Sequence, residues 1–186
     1  MNIIYAHDKI TENRTKREDR ENMVKTIIIS LILCIIEILV LVTVSPMVKP
    51  DIILRFLPED VRQAAKGHEE PPKSKQMIGY LLLALCLIAF LGGMFYLGID
   101  GIRNGYGFWK LTLRFIIMLY IIKAFDIIVQ DQWLVMILGF YKKIFPETAD
   151  CEGWKNRGFN NKNQLIRIVL YPFQCMMTAG MFVLFG

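Results

Sequence analysis

Apolar residues fall into four blocks along the chain, and charged residues crowd the stretches between them. Blocks of this length predict membrane spans, because a helix needs about 20 largely apolar residues to cross the hydrocarbon core. The spans are expected at about residues 24–45, 77–99, 111–129 with an extension to 140, and 165–185. The pattern predicts an all-α integral membrane protein. Its expected form is a four-helix transmembrane bundle with a short amphipathic helix in the first loop and a long or broken third helical segment. Residues 1–23 read as a polar N-terminal arm and 24–186 as a four-span membrane domain.

In the first block, Thr26, Ser30, Cys34 and Glu37 fall on one helix face, and Pro46 ends the helix. The other faces are Ile, Leu and Val, so this polar seam should point into protein. In the following connection, "DIILRFL" reads as a segment for the headgroup layer. "PEDVRQAAKG" reads as a short helix with Pro58 in its first turn and Gly67 as its stop. His68-Glu69-Glu70 reads as a solvated turn before Pro71-Pro72, since adjacent residues on a loop rarely converge on one metal ion.

The second block carries Gly79, Cys86 and Gly93 at seven-residue spacing, with Ala89 and Gly93 one turn apart. Small residues on one face predict close approach of another helix, where lipid supplies no hydrophobic drive. The glycines of "GIDGIRNGYGFWK" predict a tight turn. No strand precedes them and no G-K-[ST] follows, so a phosphate loop is not indicated.

The third block, from Trp109 to Phe140, is too long for one straight crossing and too short for two. As one helix it would extend about 48 Å against a hydrocarbon core of about 30 Å. A tilted helix, a projecting helix, or a span with a half-inserted segment all fit. The favoured reading is a span over 111–129 followed by a projecting or interfacial piece through 140. In the next connection Phe145, Trp154 and Phe159 are expected to anchor at the interface. In the fourth block Pro172 predicts a kink, and Gln174 is the main polar group.

Composition agrees. The chain is 54% hydrophobic, above the roughly 45–50% of soluble domains. Net charge is +5, and the pI is about 9.0. In this setting basic residues flank spans and meet anionic headgroups; no basic helix or recognition motif points to nucleic acid. The four cysteines form no C-x-x-C pair and no zinc-spaced set with histidine, so no disulfide framework, metal or cofactor is expected. The first 22 residues are too polar for a cleavable signal, and the first span is expected to stay in the mature chain. Basic residues are nearly balanced between the two sides, about nine against about twelve. The expectation is a plasma-membrane protein with both termini in the cytoplasm.

The candidate chemistry lies in "KAFDIIVQ". Lys123, Asp126 and Gln130 are spaced i, i+3, i+7 on one helix face, with Asp131 about 100° away. Each such charge costs about 2.5–3.5 kcal/mol inside a membrane, so the stripe should face protein, a watery cavity or a partner. Glu37 is the natural third member. The expected pathway residues are therefore Glu37, Lys123, Asp126, Gln130 and Gln174, and the expected packing residues are Gly79, Cys86, Ala89 and Gly93.

Three function classes follow. The first is ion- or proton-linked solute transport in the lipid bilayer, as a homo-oligomer or with a membrane-protein partner. The second is an accessory, assembly or signalling subunit that uses the charges only for packing. The third is a lipid-site enzyme drawing on His68, Glu147, Asp150, Cys151 and Glu152. No nucleophile–base pair or metal signature is legible for it, so catalysis is disfavoured.

Overall fold

A computed structural model describes the backbone of residues 2–156, 158 and 160–185, with side chains from residue 12 onward. The expected anchor Phe159 lies outside the described residues. Among these residues the chain is all-helical, without a strand.

α1 (Asn2–Val44) runs through the polar arm and the first apolar block without a break. No glycine or proline interrupts residues 2–45. Exposed pairs Lys16–Glu12, Arg14–Glu18 and Arg17–Glu21 at 2.5, 3.2 and 3.2 Å line its polar half. The arm is thus a rigid extension of the first apolar helix. Lys110 holds it through Asp19 at 3.0 Å.

α4 (Lys73–Arg103) follows two short helices, α2 (Pro50–Leu54) and α3 (Glu59–Ala64). As expected from "PEDVRQAAKG", Pro58 precedes α3, and Gly67 stands past its end at φ +100°. α5 (Phe108–Phe125) continues directly into a π-helix (Asp126–Ile137). Gly139, at φ +59°, then allows the chain to leave in the left-handed region. α6 (Phe140–Ile144), two 3₁₀ turns (Pro146–Thr148 and Glu152–Lys155) and α7 (Asn161–Phe185) complete the chain.

Three helices are long and apolar enough to cross a membrane: α1 from Glu12, α4 and α7. Their apolar faces are largely uncovered; only 6% of the most apolar stretch of α4 is buried. So much exposed apolar surface marks a membrane protein. α5 does not qualify on composition, because Lys110, Arg114 and Lys123 fall within its 18 residues. It is instead the best buried helix. Leu111, Phe115 and Met118 are fully enclosed, and α5 packs against α1, α4 and α7.

Helix directions follow from the contacts. The start of α5 meets the early part of α1 and the end of α4 through Arg114. The start of α7 meets the π-helix through Gln164 and Asp131. α1 and α5 therefore run together, and α4 and α7 run against them.

The interhelical core holds Leu33, Leu97, Leu111, Phe115, Met118 and Cys175. Small residues let the backbones close. A Cβ on Gly93 would stand 3.0 Å from Leu33 of α1, and one on Gly101 would stand 2.7 Å from Leu111. One on Gly98 would overlap the Phe182 ring of α7.

A second core was not visible in the sequence. The connections at 45–72 and 138–160 fold together into a cap around Val48, Leu54, Val61, Tyr141, Phe145 and Trp154. Gly153 N–H donates to Asp60 Oδ2 at 2.6 Å, and Trp154 Nε1 donates to the Thr148 carbonyl at 2.7 Å. Phe145 and Trp154, read as interface anchors, are buried in this core. The third block also ends here. Val135 belongs to the cap core, so the favoured projecting piece is instead a π-helix running in under the cap.

α7 is unbroken at Pro172. Proline has no N–H, so the Ile168 carbonyl four residues earlier loses its helical donor. Tyr120 of α5 supplies one: its hydroxyl donates to Ile168 O at 3.0 Å.

Candidate functional site

Two buried polar clusters lie between the helices. The first contains the stripe read from the sequence. Lys123 is 3% exposed and ion-paired with Asp126. Glu37 of α1 lies within electrostatic reach of both, and beside Gln130. The π-helix changes the face arithmetic. Its i→i+5 bonding, seen where Leu138 N–H donates to Trp133 O at 2.9 Å, lengthens the repeat beyond 3.6 residues. Gln130 and Asp131 therefore both turn inward, and Asp131 accepts a bond from Gln164 Nε2 of α7 at 2.6 Å. The sequence arithmetic assumed an α-helix and set Asp131 off the face.

Two cavities meet at this cluster. One, of about 790 Å³, lies among α1, α4, α5 and α7, and Glu37, Lys123, Asp126 and Gln174 line it. The other, of about 380 Å³, lies toward the cap and is lined by Glu37, Asp126, Gln130 and Asp131. Glu37, Leu83, Cys86, Asp126 and Arg167 line both, and so mark the junction. Every expected pathway residue borders one cavity or the other. Gln164 and Arg167 were missed, having been read as the edge of a connection. A signal was present: Gln164, Arg167, Tyr171 and Gln174 repeat at three- and four-residue spacing, one polar seam down α7.

Three buried atoms of this cluster lack a hydrogen-bond partner: Glu37 Oε2, Gln130 Nε2 and Gln164 Oε1. Leaving such a group unsatisfied costs about 1–3 kcal/mol, more when it is charged.

The second cluster centres on Arg114, which is 2% exposed. Its Nε donates to Thr26 Oγ1 at 2.8 Å and its Nη1 to the Leu97 carbonyl at 3.1 Å. Its Nη2 reaches Asp100 Oδ2 at 2.7 Å and the Asn22 carbonyl at 3.4 Å. Lys25 adds a second cation to Asp100 at 3.4 Å. The guanidinium ties α5 to α1 and α4.

Of the expected packing residues, Gly93 meets Leu33 and Ile29 of α1, and Gly79 meets Met47 and Val48 just beyond α1. Ala89 packs against the interhelical core, while Cys86 lines both cavities. The loop residues considered for catalysis are spread over the cap. His68 Nδ1 pairs with Glu147 Oε1 at 2.8 Å, and Glu152 pairs with Lys155 at 2.8 Å. Partial burial, then Asp60 and Asp150, push the Cys151 thiol above its usual range, the opposite of an activated nucleophile.

No family model, curated protein or solved structure matches this chain. Fold and site together define its class: an all-helical membrane protein, with three helices fit to cross and a charged seam between α1 and α5.

Proposed function

We propose that α1, α4, α5 with its π-helical extension, and α7 all cross the membrane, and that the Glu37–Lys123–Asp126 seam serves proton- or cation-linked movement of a solute. One observation carries the reading: Glu37 and Asp126 line both cavities, and an acid at their junction has an oxygen without a partner. Desolvated acids facing a basic neighbour change charge with small changes of surroundings, which is how ion-coupled sites work. The crossing of α5 is supported by the burial of Arg114 and Lys123 against other helices, which shields them from lipid.

In this reading the cap faces out of the cell, and both termini face the cytoplasm of a plasma membrane. The uncovered apolar face of α4 suits a second copy or a membrane-protein partner, since four helices make a small pathway alone. Attachment of an impermeant thiol reagent to Cys151 in intact cells is the expected result for this orientation.

A second reading keeps the chain as an accessory or assembly subunit without transport. The Arg114 cluster favours it, because it is buried charge used only to hold helices together. Purified protein in liposomes, with a pH dye inside and an imposed potential, separates the two. Ion flux that Glu37→Gln abolishes is expected. Absence of flux, with a constant partner co-purifying, overturns transport in favour of assembly.

A further inference from the structure

The larger cavity is apolar along most of its length. Leu87, Phe90, Met94, Met177 and Met181 line it away from the cap, and its charged residues gather toward the junction with the second cavity. Its wall is also open. Leu87, Met177 and Met181 are 58%, 73% and 62% exposed, on surfaces that lipid chains would cover. A volume of about 790 Å³ falls within the range of small-molecule sites.

The cap-side cavity has a different character. Two of the unpartnered buried atoms that line it, Glu37 Oε2 and Gln164 Oε1, are acceptors. Gln164 is 6% exposed, so water outside does not satisfy it. The third such atom, Gln130 Nε2, is a donor and also lines this cavity. Glu37, Asp126 and Asp131 line this cavity against one guanidinium, Arg167. With Asp126 taken by Lys123, the carboxylates still outnumber the cation. What fits two orphaned acceptors in an acidic cavity is a cation with several N–H groups.

We infer that the site takes an amphiphile with a primary-ammonium head, entering from the bilayer between α4 and α7. Its alkyl chain fills the apolar cavity, and its N–H groups bond Glu37 and Gln164 at the cap-side end. This names the solute class for the transport reading and rests on that reading for its role, but the binding itself is separable. The continuity of the two cavities through Glu37, Leu83 and Cys86 is what joins head site to tail site.

The test uses the full chain in phosphatidylcholine nanodiscs, whose trimethylammonium heads have no N–H to donate. The probe is a long-chain primary alkylamine with a mid-chain diazirine. Crosslinks are expected on the stretches of α4 and α7 that line the cavity. An unlabelled alkylamine of equal length should compete, whereas the matching alcohol, the matching fatty acid and a short amine should not. Glu37→Gln should weaken competition about tenfold, the loss expected for one charged hydrogen bond. Leu87→Trp, at an exposed wall position that accommodates bulk, should block the chain and abolish the competed crosslink even if the first variant fails to fold. Equal competition by the alcohol, competition by the short amine, or crosslinking unchanged in folded Glu37→Gln or Leu87→Trp would overturn the inference. Amine binding without ion flux supports the site and removes transport. Flux without amine competition removes the amphiphile and leaves transport standing.

Discussion

The two buried clusters share α1 and α5, one reaching to α4 and the other to α7, and behave as opposites. Thr26 and Glu37, their members on α1, are separated by about 16 Å of helix rise. Around Arg114 each guanidinium nitrogen has an acceptor. Around Glu37 a carboxylate oxygen, an amide nitrogen and an amide oxygen stand unpartnered between two cavities. The first arrangement is a lock, in which polar groups saturate one another and fix helix register. The second leaves polar atoms on the cavity walls unsaturated, which under the proposed reading is where a ligand or ion binds.

The sharpest way to break this contrast is Arg114→Met. It takes the guanidinium from Asp100, Thr26 and two carbonyls, leaving Asp100 only the longer contact with Lys25 at 3.4 Å, and a loss of about 3–5 kcal/mol is expected. Thermal unfolding and monodispersity in detergent report it. A loss below about 1 kcal/mol would show that the cluster is no lock.

In the open cluster, Lys123→Met should also destabilise, by about 3 kcal/mol, because it strands Asp126 and Glu37. Replacing Lys123, Asp126 and Glu37 together with Met or Leu should recover most of that stability while any ion flux disappears. A double-mutant cycle between Glu37 and Lys123 should give a coupling of about 0.5–3 kcal/mol. Zero coupling would separate Glu37 from the pair and dissolve the cluster.

Tyr120→Phe tests a neutral contact beside the charged ones. It removes the donor to the carbonyl that Pro172 frees, and about 1–2 kcal/mol should be lost. An unchanged melt would mean that the α7 carbonyl finds another donor. The smallest effect is expected for Thr112→Val. Thr112 Oγ1 is buried without a partner, so removing it should cost nothing and gain up to about 1 kcal/mol. A clear loss there would assign the hydroxyl a lipid or water partner and blur the line between saturated and unsaturated sites.

Much of the site was legible because membrane chemistry is severe. A glutamate at 37 and the pair at 123 and 126 cannot face lipid cheaply, so their inward orientation follows from residue type and spacing. The same reasoning was applied too narrowly. Arg114 is absent from the residues expected to matter, although its position after Leu111 and before Phe115 places it within the third apolar block. Gln164 was lost because the fourth span was begun at 165, one helical turn after the helix itself starts at Asn161, and Arg167, at the start of that span, was counted with the charges of the connection.

By itself the sequence counted four spans, whereas three helices of the structure are long and apolar enough to cross. It did determine that the chain is helical, that its apolar blocks suit a membrane, and that charges at 37, 123 and 126 need shelter from lipid. Those are properties of local period and of each residue's solvation, and both are carried in the chain's own order. Tertiary structure decided the rest. The π-helix from Asp126 turns Asp131 inward, a change of register that residue identity does not signal. Two polar connections become a cap because Val61, Phe145 and Trp154 meet across the long stretch of chain between them. Which cluster is saturated and which stays open depends on whether acceptors from α1, α4 and α7 arrive within hydrogen-bond reach. Only the packed helices set those distances.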